Sequence, residues 1–215
     1  MKLWSYWRSS SAYRVRIALG LKGLPFEYAA VHLIRDGGQQ HDASFGALNP
    51  IRQVPVLEID DGGEPLRLVQ SMAIVEYLDE RFPEPPLLPA SAKDRAHVRA
   101  LAELVNSGIQ PLQNTSTFDE LKKRGVEIQP WARLFVERGL GALERLAAPR
   151  AGRFLFADSP TLADIYLVPQ LYNARRYGVP LDAFPTLTRA ETTAQALPAF
   201  RAALPEAQPD AEPGT

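Results

Sequence analysis

Four prolines fall among the eight residues 82–89, "FPEPPLLP". Proline lacks an amide donor and fixes its own backbone, so neither a helix nor a central strand runs through such a stretch. The segment reads as a semi-rigid connector. It divides the 215 residues into parts of different character, with mixed strand and helix patterns before it and helical patterns after it. Residues 1–83 are expected to form one domain, 84–90 the linker and 91–206 a second, all-helical domain.

In the first part, "KLWSYW" is short, aromatic and bounded by polar residues, which suits a strand. Val15, Ala18, Leu19 and Lys22 then share a helical face, and Gly23 is placed to stop that helix. "FEYAAVHL" is a second strand candidate. "QVPVLEID" and "PLRLVQ" flank Asp60-Asp61-Gly62-Gly63, a hairpin signal. Ser71 opens a further helix through Ile74, Tyr77, Leu78 and Arg81. The order β-α-β-(α)-β-β-α predicts a compact α/β unit with parallel strands first and a hairpin after.

Beyond the linker, Val98, Leu101, Ala102 and Val105 form one helical stripe. Leu134, Phe135, Leu140, Leu143 and Leu146 form another. Thr161-Leu162-Ala163-Asp164 is a capping-box pattern with a short acid. The last apolar pattern runs from Leu187 to Leu204. The tail at 207–215, in "PEAQPDAEPGT", lacks the apolar content to pack and is expected to be disordered.

A formal net charge of -1 gives no electrostatic footprint for nucleic acid or for an anionic membrane surface. No apolar run approaches the ~20 residues of a membrane span, and "MKLWSYW" is too short for a signal-peptide core. The chain has no cysteine, which excludes disulfides and any thiol chemistry of its own. A cytoplasmic location is expected. His32, His41 and His97 fit no zinc-ligand spacing, so no metal is expected.

Ser9, Ser10 and Ser11 gather where the first strand hands over to the first helix. One serine suffices to cap a helix; the others are turn residues or part of a site. Ser71 likewise reads as a cap or as an anion-binding residue at a helix start. Pro55 reads as an edge-strand proline when taken alone. Gln110, Asn114 and Thr115 read either as a polar break in a helix or as ligand contacts. Arg14 and Arg16 are expected to make structural ion pairs or pack their stems, and Arg175 to sit on a solvated helix face.

"SSSAYRVRIAL" resembles the serine-rich signature of the zeta-class glutathione transferases. "DGGQQ" at 36–40, "ALNPIRQVPVLEID" at 47–60, "QSMAIVEYLDERFPEPPLLP" at 70–89, "GIQPLQN" at 108–114 and "TLADIYLVPQLYNARR" at 161–176 agree with it. The likeness spans Lys2 to about Pro209. It implies the glutathione transferase fold, an α/β thioredoxin-like N-terminal domain followed by an all-α C-terminal domain, with glutathione as cofactor. Where many members carry Cys, this chain has Ser11; because the class uses the thiol of glutathione, that change is expected to tune activity without abolishing it.

The resemblance also implies roles. Ser9 is expected to donate to the glutathione sulfur, with Ser10 and Ser11 as secondary donors or caps. A hydroxyl donor at a helix N-terminus favours the thiolate, the reactive form of a group whose ordinary pKa is near ~8.5. Gln40 aligns near the glycyl end of the tripeptide. Val54, before a cis Pro55, is expected to pair with its backbone, and Gln70 and Ser71 to hold its γ-glutamyl carboxylate. Gln110, Asn114 and Thr115 match positions that close over the ligand. Arg8 and Arg176 are expected to grip a dicarboxylate substrate, for which the guanidinium fork is suited.

The family includes maleylacetoacetate and maleylpyruvate isomerases, and Gln110 within "IQPLQN" resembles the maleylacetoacetate form. The implied activity is a glutathione-dependent cis–trans isomerisation of maleylacetoacetate to fumarylacetoacetate in tyrosine and phenylalanine breakdown, carried out by a homodimer. The alternatives are maleylpyruvate isomerisation, transferase action on α-halo acids, or a non-catalytic interaction module.

Overall fold

The computed structural model describes residues 1–60 and 62–212. Asp61, in the expected hairpin turn, and the tail end at 213–215 lie outside the described residues. In chain order the first elements are β1 (Lys2–Ser5), α1 (Ser10–Leu21), β2 (Glu27–Ala30), α2 (Ala43–Leu48), β3 (Val56–Ile59), β4 (Leu66–Val69) and α3 (Ser71–Arg81). They are followed by α4 (Ala92–Glu103), α5 (Thr115–Lys123), α6 (Ile128–Ala147), α7 (Leu162–Arg176), α8 (Pro185–Gln195) and α9 (Pro198–Ala202).

The chain forms two compact units, Met1–Pro85 with the chain from Leu197 onward, and Pro86–Ala196. In the first, the sheet order is β2-β1-β3-β4. β1 runs parallel to β2 across the α1 crossover, and antiparallel β3 and β4 complete the sheet, with Leu3 opposite Leu57. Val56 and Leu57 are both buried, as suits an inner strand. α1 buries every residue from Ala12 to Leu19, so it is a core helix with no solvent face. Its end is set by Gly23 at φ +64°, with Leu24 N–H reaching back to the Leu19 carbonyl.

The return of the chain at Leu197 corrects the expected boundary and the expected disorder of the tail. The pattern from Leu187 to Leu204 belongs to two helices in different units: Leu187 is buried in α8 and Phe200 in α9. α9 packs on α1 so closely that a Cβ at Gly20 would lie 3.1 Å from that of Ala199. Arg16, fully inside, donates to the Ala203 carbonyl through Nε and Nη2 at 3.2 and 3.1 Å. Further on, Gln208 is buried and bonds the carbonyls of Ala202 and Leu204. Hydrogen bonds of Gln208, Asp210 and Glu212, with Ala211 packed on the cluster of Tyr6, Trp7 and Val54, hold the tail as far as Glu212.

In the second unit α7 is central and buried from Leu162 through Leu171. Thr161 caps it reciprocally with Asp164: Thr161 N–H donates to the carboxylate at 2.8 Å, and the Leu155 N–H donates to its other oxygen at 2.8 Å. α4 buries Val98, Leu101 and Ala102 and continues into a π-helical stretch, Leu104–Ile109, and a 3₁₀ turn, Gln110–Gln113. The expected stripe on α6 is shifted. Leu134 and Leu146 are exposed, and the buried face is Ala132, Val136, Leu140, Leu143 and Ala147. On this helix the close contact is at Gly139, where a Cβ would lie 2.3 Å from Ile109 Cγ1.

Candidate active site

The turn between β1 and α1 is closed by the Ser9 N–H on the Tyr6 carbonyl at 3.0 Å. Ser9 is the N-cap of α1, and its Oγ accepts the Ala12 N–H at 3.2 Å. A hydroxyl has two lone pairs and one proton. Capping uses a lone pair, so the Ser9 proton remains available to an acceptor. Ser10 and Ser11 are the first two residues of α1 and are half-buried.

Three further segments of the same unit carry expected site residues. Asn49 braces the loop before β3, accepting from Ile51 N–H at 3.2 Å and donating to the Gln53 carbonyl at 2.7 Å. That loop delivers Val54, buried and joined to Pro55 by a cis peptide. Among the described residues no turn or loop hydrogen bond uses the Val54 amide. Gln70 is the N-cap of α3 at φ +70°, an uncommon backbone state for a side-chain-bearing residue. It makes no side-chain cap, so the first amides of α3 are presented uncapped, a ready anion site. The buried Ser71 hydroxyl accepts from Arg14 Nη1 at 3.2 Å. Gln40 is buried and donates to the Leu33 carbonyl at 3.2 Å.

In the second unit Gln110 opens the 3₁₀ turn, Asn114 is the N-cap of α5 without a side-chain cap bond, and Thr115 begins α5. Arg176 ends α7; its Nη1 lies 3.5 Å from Asn173 Oδ1 and its guanidinium stacks over Tyr177. A groove of about 310 Å³ is lined by Leu104, Gly108, Leu112, Phe135, Arg138, Gly139 and Ala142, and none of the expected site residues lines it.

The arginines separate by their partners. Arg16 bonds the Tyr6, Trp7 and Ala203 carbonyls and the Ser5 hydroxyl. Arg175 is exposed, as expected, but it also holds Glu191, buried on α8, bidentately, which raises the pKa of the guanidinium further. Arg67, Arg124 and Arg150 also pair with carboxylates. Arg8 and Arg176 have no acidic partner among the described residues; Arg8 lies over the Trp7 ring at 4.6 Å with its buried Nε unbonded. Sequence reasoning missed Asn49, the Arg14–Ser71 contact and Asp210, which accepts the Trp7 N–H at 3.1 Å. Asn49 was within reach, since Asn ahead of a Pro-containing loop is a turn signal. Asp210 was hidden in a tail that lacks apolar residues.

The glutathione S-transferase N-terminal domain family matches residues 1–80, and the C-terminal domain family matches 132–207. Maleylacetoacetate isomerase of Pseudomonas aeruginosa is 47% identical over 213 residues, covering 98% of each chain. Maleylpyruvate isomerase of Ralstonia sp is 46% identical, covering 98% of this chain and 99% of that one. Among solved structures, maleylacetoacetate isomerase from Anaeromyxobacter dehalogenans 2CP-1 with bound glutathione has a TM-score of 0.91 at 54% identity, covering 98% and 97% of the two chains. A bacterial maleylpyruvate isomerase described as zeta class has a TM-score of 0.92 at 44% identity, covering 99% and 100%. Two matched domains and near-complete coverage leave one placement: the chain belongs to the zeta-class glutathione transferases.

Proposed function

We propose that this chain is a glutathione-dependent cis–trans isomerase acting on maleylacetoacetate. The observation that carries the reading is the Ser9 turn: a capping hydroxyl with its proton still to give, beside two further hydroxyls, in a chain with no sulfhydryl of its own. Its relatives in Pseudomonas aeruginosa and the mouse bear the name of that activity at 47% and 46% identity.

The residues fit glutathione. The uncapped start of α3 at Gln70 and Ser71 suits its γ-glutamyl carboxylate. The unused Val54 amide suits a strand-like pairing with its backbone, and Gln40 suits the glycyl end. Bound glutathione supplies a thiolate that adds to the cis double bond, permits rotation about the resulting single bond, and is expelled as the trans double bond forms. Ser9 holds the sulfur as its anion through a charge-assisted hydrogen bond; Ser10 and Ser11 stand behind it. Arg8 and Arg176, which have no carboxylate partner among the described residues, bind the carboxylates of the substrate and stabilise the negative charge that develops next to the attacked carbon. Gln110, Asn114 and Thr115 are read as ligand contacts on the family resemblance.

Maleylpyruvate is the second reading, favoured by the Ralstonia relative at 46% identity. Measuring kcat/KM for both maleyl acids with glutathione present tests the choice. The account expects the higher value for maleylacetoacetate; a higher value for maleylpyruvate overturns the assignment. No described helix is long and apolar enough to cross a membrane. The reading extends to a cytoplasmic homodimer, for which sedimentation is the test of assembly.

A further inference from the structure

The last described residues return to the turn that carries the serines, and a carboxylate makes the contact. Asp210 Oδ2 accepts the Trp7 N–H at 3.1 Å, across 203 positions of sequence. Its Oδ1 accepts the Tyr28 phenol at 2.6 Å. The Trp7 carbonyl is held too, by Arg16 Nη2 at 3.0 Å. Arg16 Nη1 also donates to Ser5 Oγ at 3.0 Å, and Ser5 hydrogen-bonds Tyr28. The circuit therefore runs from Asp210 through Tyr28, Ser5 and Arg16, and both backbone polar groups of Trp7 close it. Ala211 packs beside it on the cluster containing Tyr6, Trp7 and Val54.

We propose that Asp210 is a positioning residue for the thiolate-binding turn: its carboxylate fixes Trp7 so that the Ser9 hydroxyl and Arg8 are aimed at glutathione and substrate. This rests on the assignment of Ser9 to the glutathione sulfur. Trp7 is two residues before Ser9, and the turn between them is closed by a single backbone bond, Ser9 N–H on the Tyr6 carbonyl. A charge-assisted bond from outside the turn therefore adds an anchor that the turn cannot supply itself. The charges facing this circuit are Arg16 from α1 and, along the tail, Glu212 with its partners Arg35 and His32.

The sign of one measurement separates positioning from simple electrostatics. Removing a nearby anion by itself lowers the pKa of a thiol. Misaiming the hydroxyl that holds the thiolate raises it. Asp210→Asn and Asp210→Ala in the full chain should raise the pKa of the bound glutathione thiol, read from thiolate absorbance, by about one unit, a tenfold loss of thiolate at fixed pH below that pKa. In the unliganded protein, amide exchange at residues 7–12 should accelerate about tenfold. Asp210→Glu should recover part of both effects. An unchanged or lowered thiol pKa in a folded Asp210 variant overturns the proposal. Where Asp210→Ala does not fold, Tyr28→Phe decides: it removes the Oδ1 contact and the link to Ser5 while leaving the Trp7 N–H on Oδ2, and a smaller rise in the same direction is expected, whereas no rise overturns the role. Ser9→Ala distinguishes the two layers. If it leaves the thiol pKa unchanged, the Ser9 assignment fails; if it raises the pKa and the Asp210 variants do not, the positioning role alone fails.

Discussion

Arg14 Nη1 donates to Ser71 Oγ at 3.2 Å, and both side chains are buried. The contact ties the helix that begins at the serine turn to the first residue of α3, 57 positions on. It fixes the Ser71 hydroxyl at the start of α3, beside the amides that no side chain caps. Arg14 is thus a structural residue with a consequence for binding. Arg14→Lys replaces a planar fork by a single point of charge. Calorimetry should show roughly a tenfold weaker glutathione affinity, about 1.4 kcal/mol. Wild-type affinity in a folded Arg14→Lys protein would remove this contact from the account.

Capping and chemistry at Ser9 are separable by the choice of replacement. Ser9→Ala loses the cap, about 0.5–2 kcal/mol of stability, whereas Ser9→Gly loses only a few tenths, on the order of 0.3 kcal/mol. Both lose the hydroxyl proton. Both should therefore lower kcat/KM by about 10–100-fold, the ~1.4–2.7 kcal/mol of a hydrogen bond to a charged group. Ser11→Ala should cost much less. If Ser9→Gly kept full activity, Ser9 would be a cap and nothing more.

Arg176 and Arg175 adjoin in sequence and differ in partners, which makes them controls for one another. Arg176→Ala should raise the KM for the maleyl acid with glutathione affinity nearly unchanged, and Arg176→Lys should restore only part of the loss. Arg175→Ala leaves the buried Glu191 without its bidentate partner and should lower Tm. The same KM in Arg176→Ala as in the wild type would leave Arg8 as the sole substrate anchor.

Asp164 carries a pH signature. Burial lifts its carboxyl from the usual 3.8 to about 6, against the pull of the Leu155 and Thr161 donors. The native carboxyl thus takes up a proton at a pH where the unfolded one remains ionised. Its contribution to stability is fully present below about pH 4 and is lost as pH rises through about 6. Stability curves for wild type and Asp164→Asn should diverge in that window, the wild type gaining relative to the variant as pH falls. At pH 7 Asp164→Ala should cost about 2–4 kcal/mol, because buried amides lose their acceptor. Parallel pH curves for wild type and Asp164→Asn would show that this carboxyl does not titrate differently on folding.

The sequence was legible where local chemistry and final structure agree. The proline run, Gly23, and the Thr161–Asp164 pair each state a local rule that the fold keeps. It was misleading where packing chose between equivalent local options. On α6, Leu134 and Leu146 are spaced like core residues, yet they are exposed while Ala132 and Ala147 are buried. The tail is poor in apolar residues, but Asp210 and Glu212 hold it through long-range hydrogen bonds that no local pattern encodes, and Gln208 adds bonds to carbonyls four and six residues back. The candidate site was legible as a set of segments. The braces between them, Arg14 on Ser71 and Asp210 on Trp7, were not, since each joins distant parts of the chain.

Because the chain has no cysteine, the sulfur in the proposed reaction must come from glutathione. The direct test is the rate of cis-to-trans conversion of maleylacetoacetate by the purified protein in thiol-free buffer, before and after glutathione is added. The account predicts no enzyme-catalysed conversion without glutathione and saturable turnover with it, with glutathione recovered unchanged. Full turnover in the absence of any thiol would contradict it.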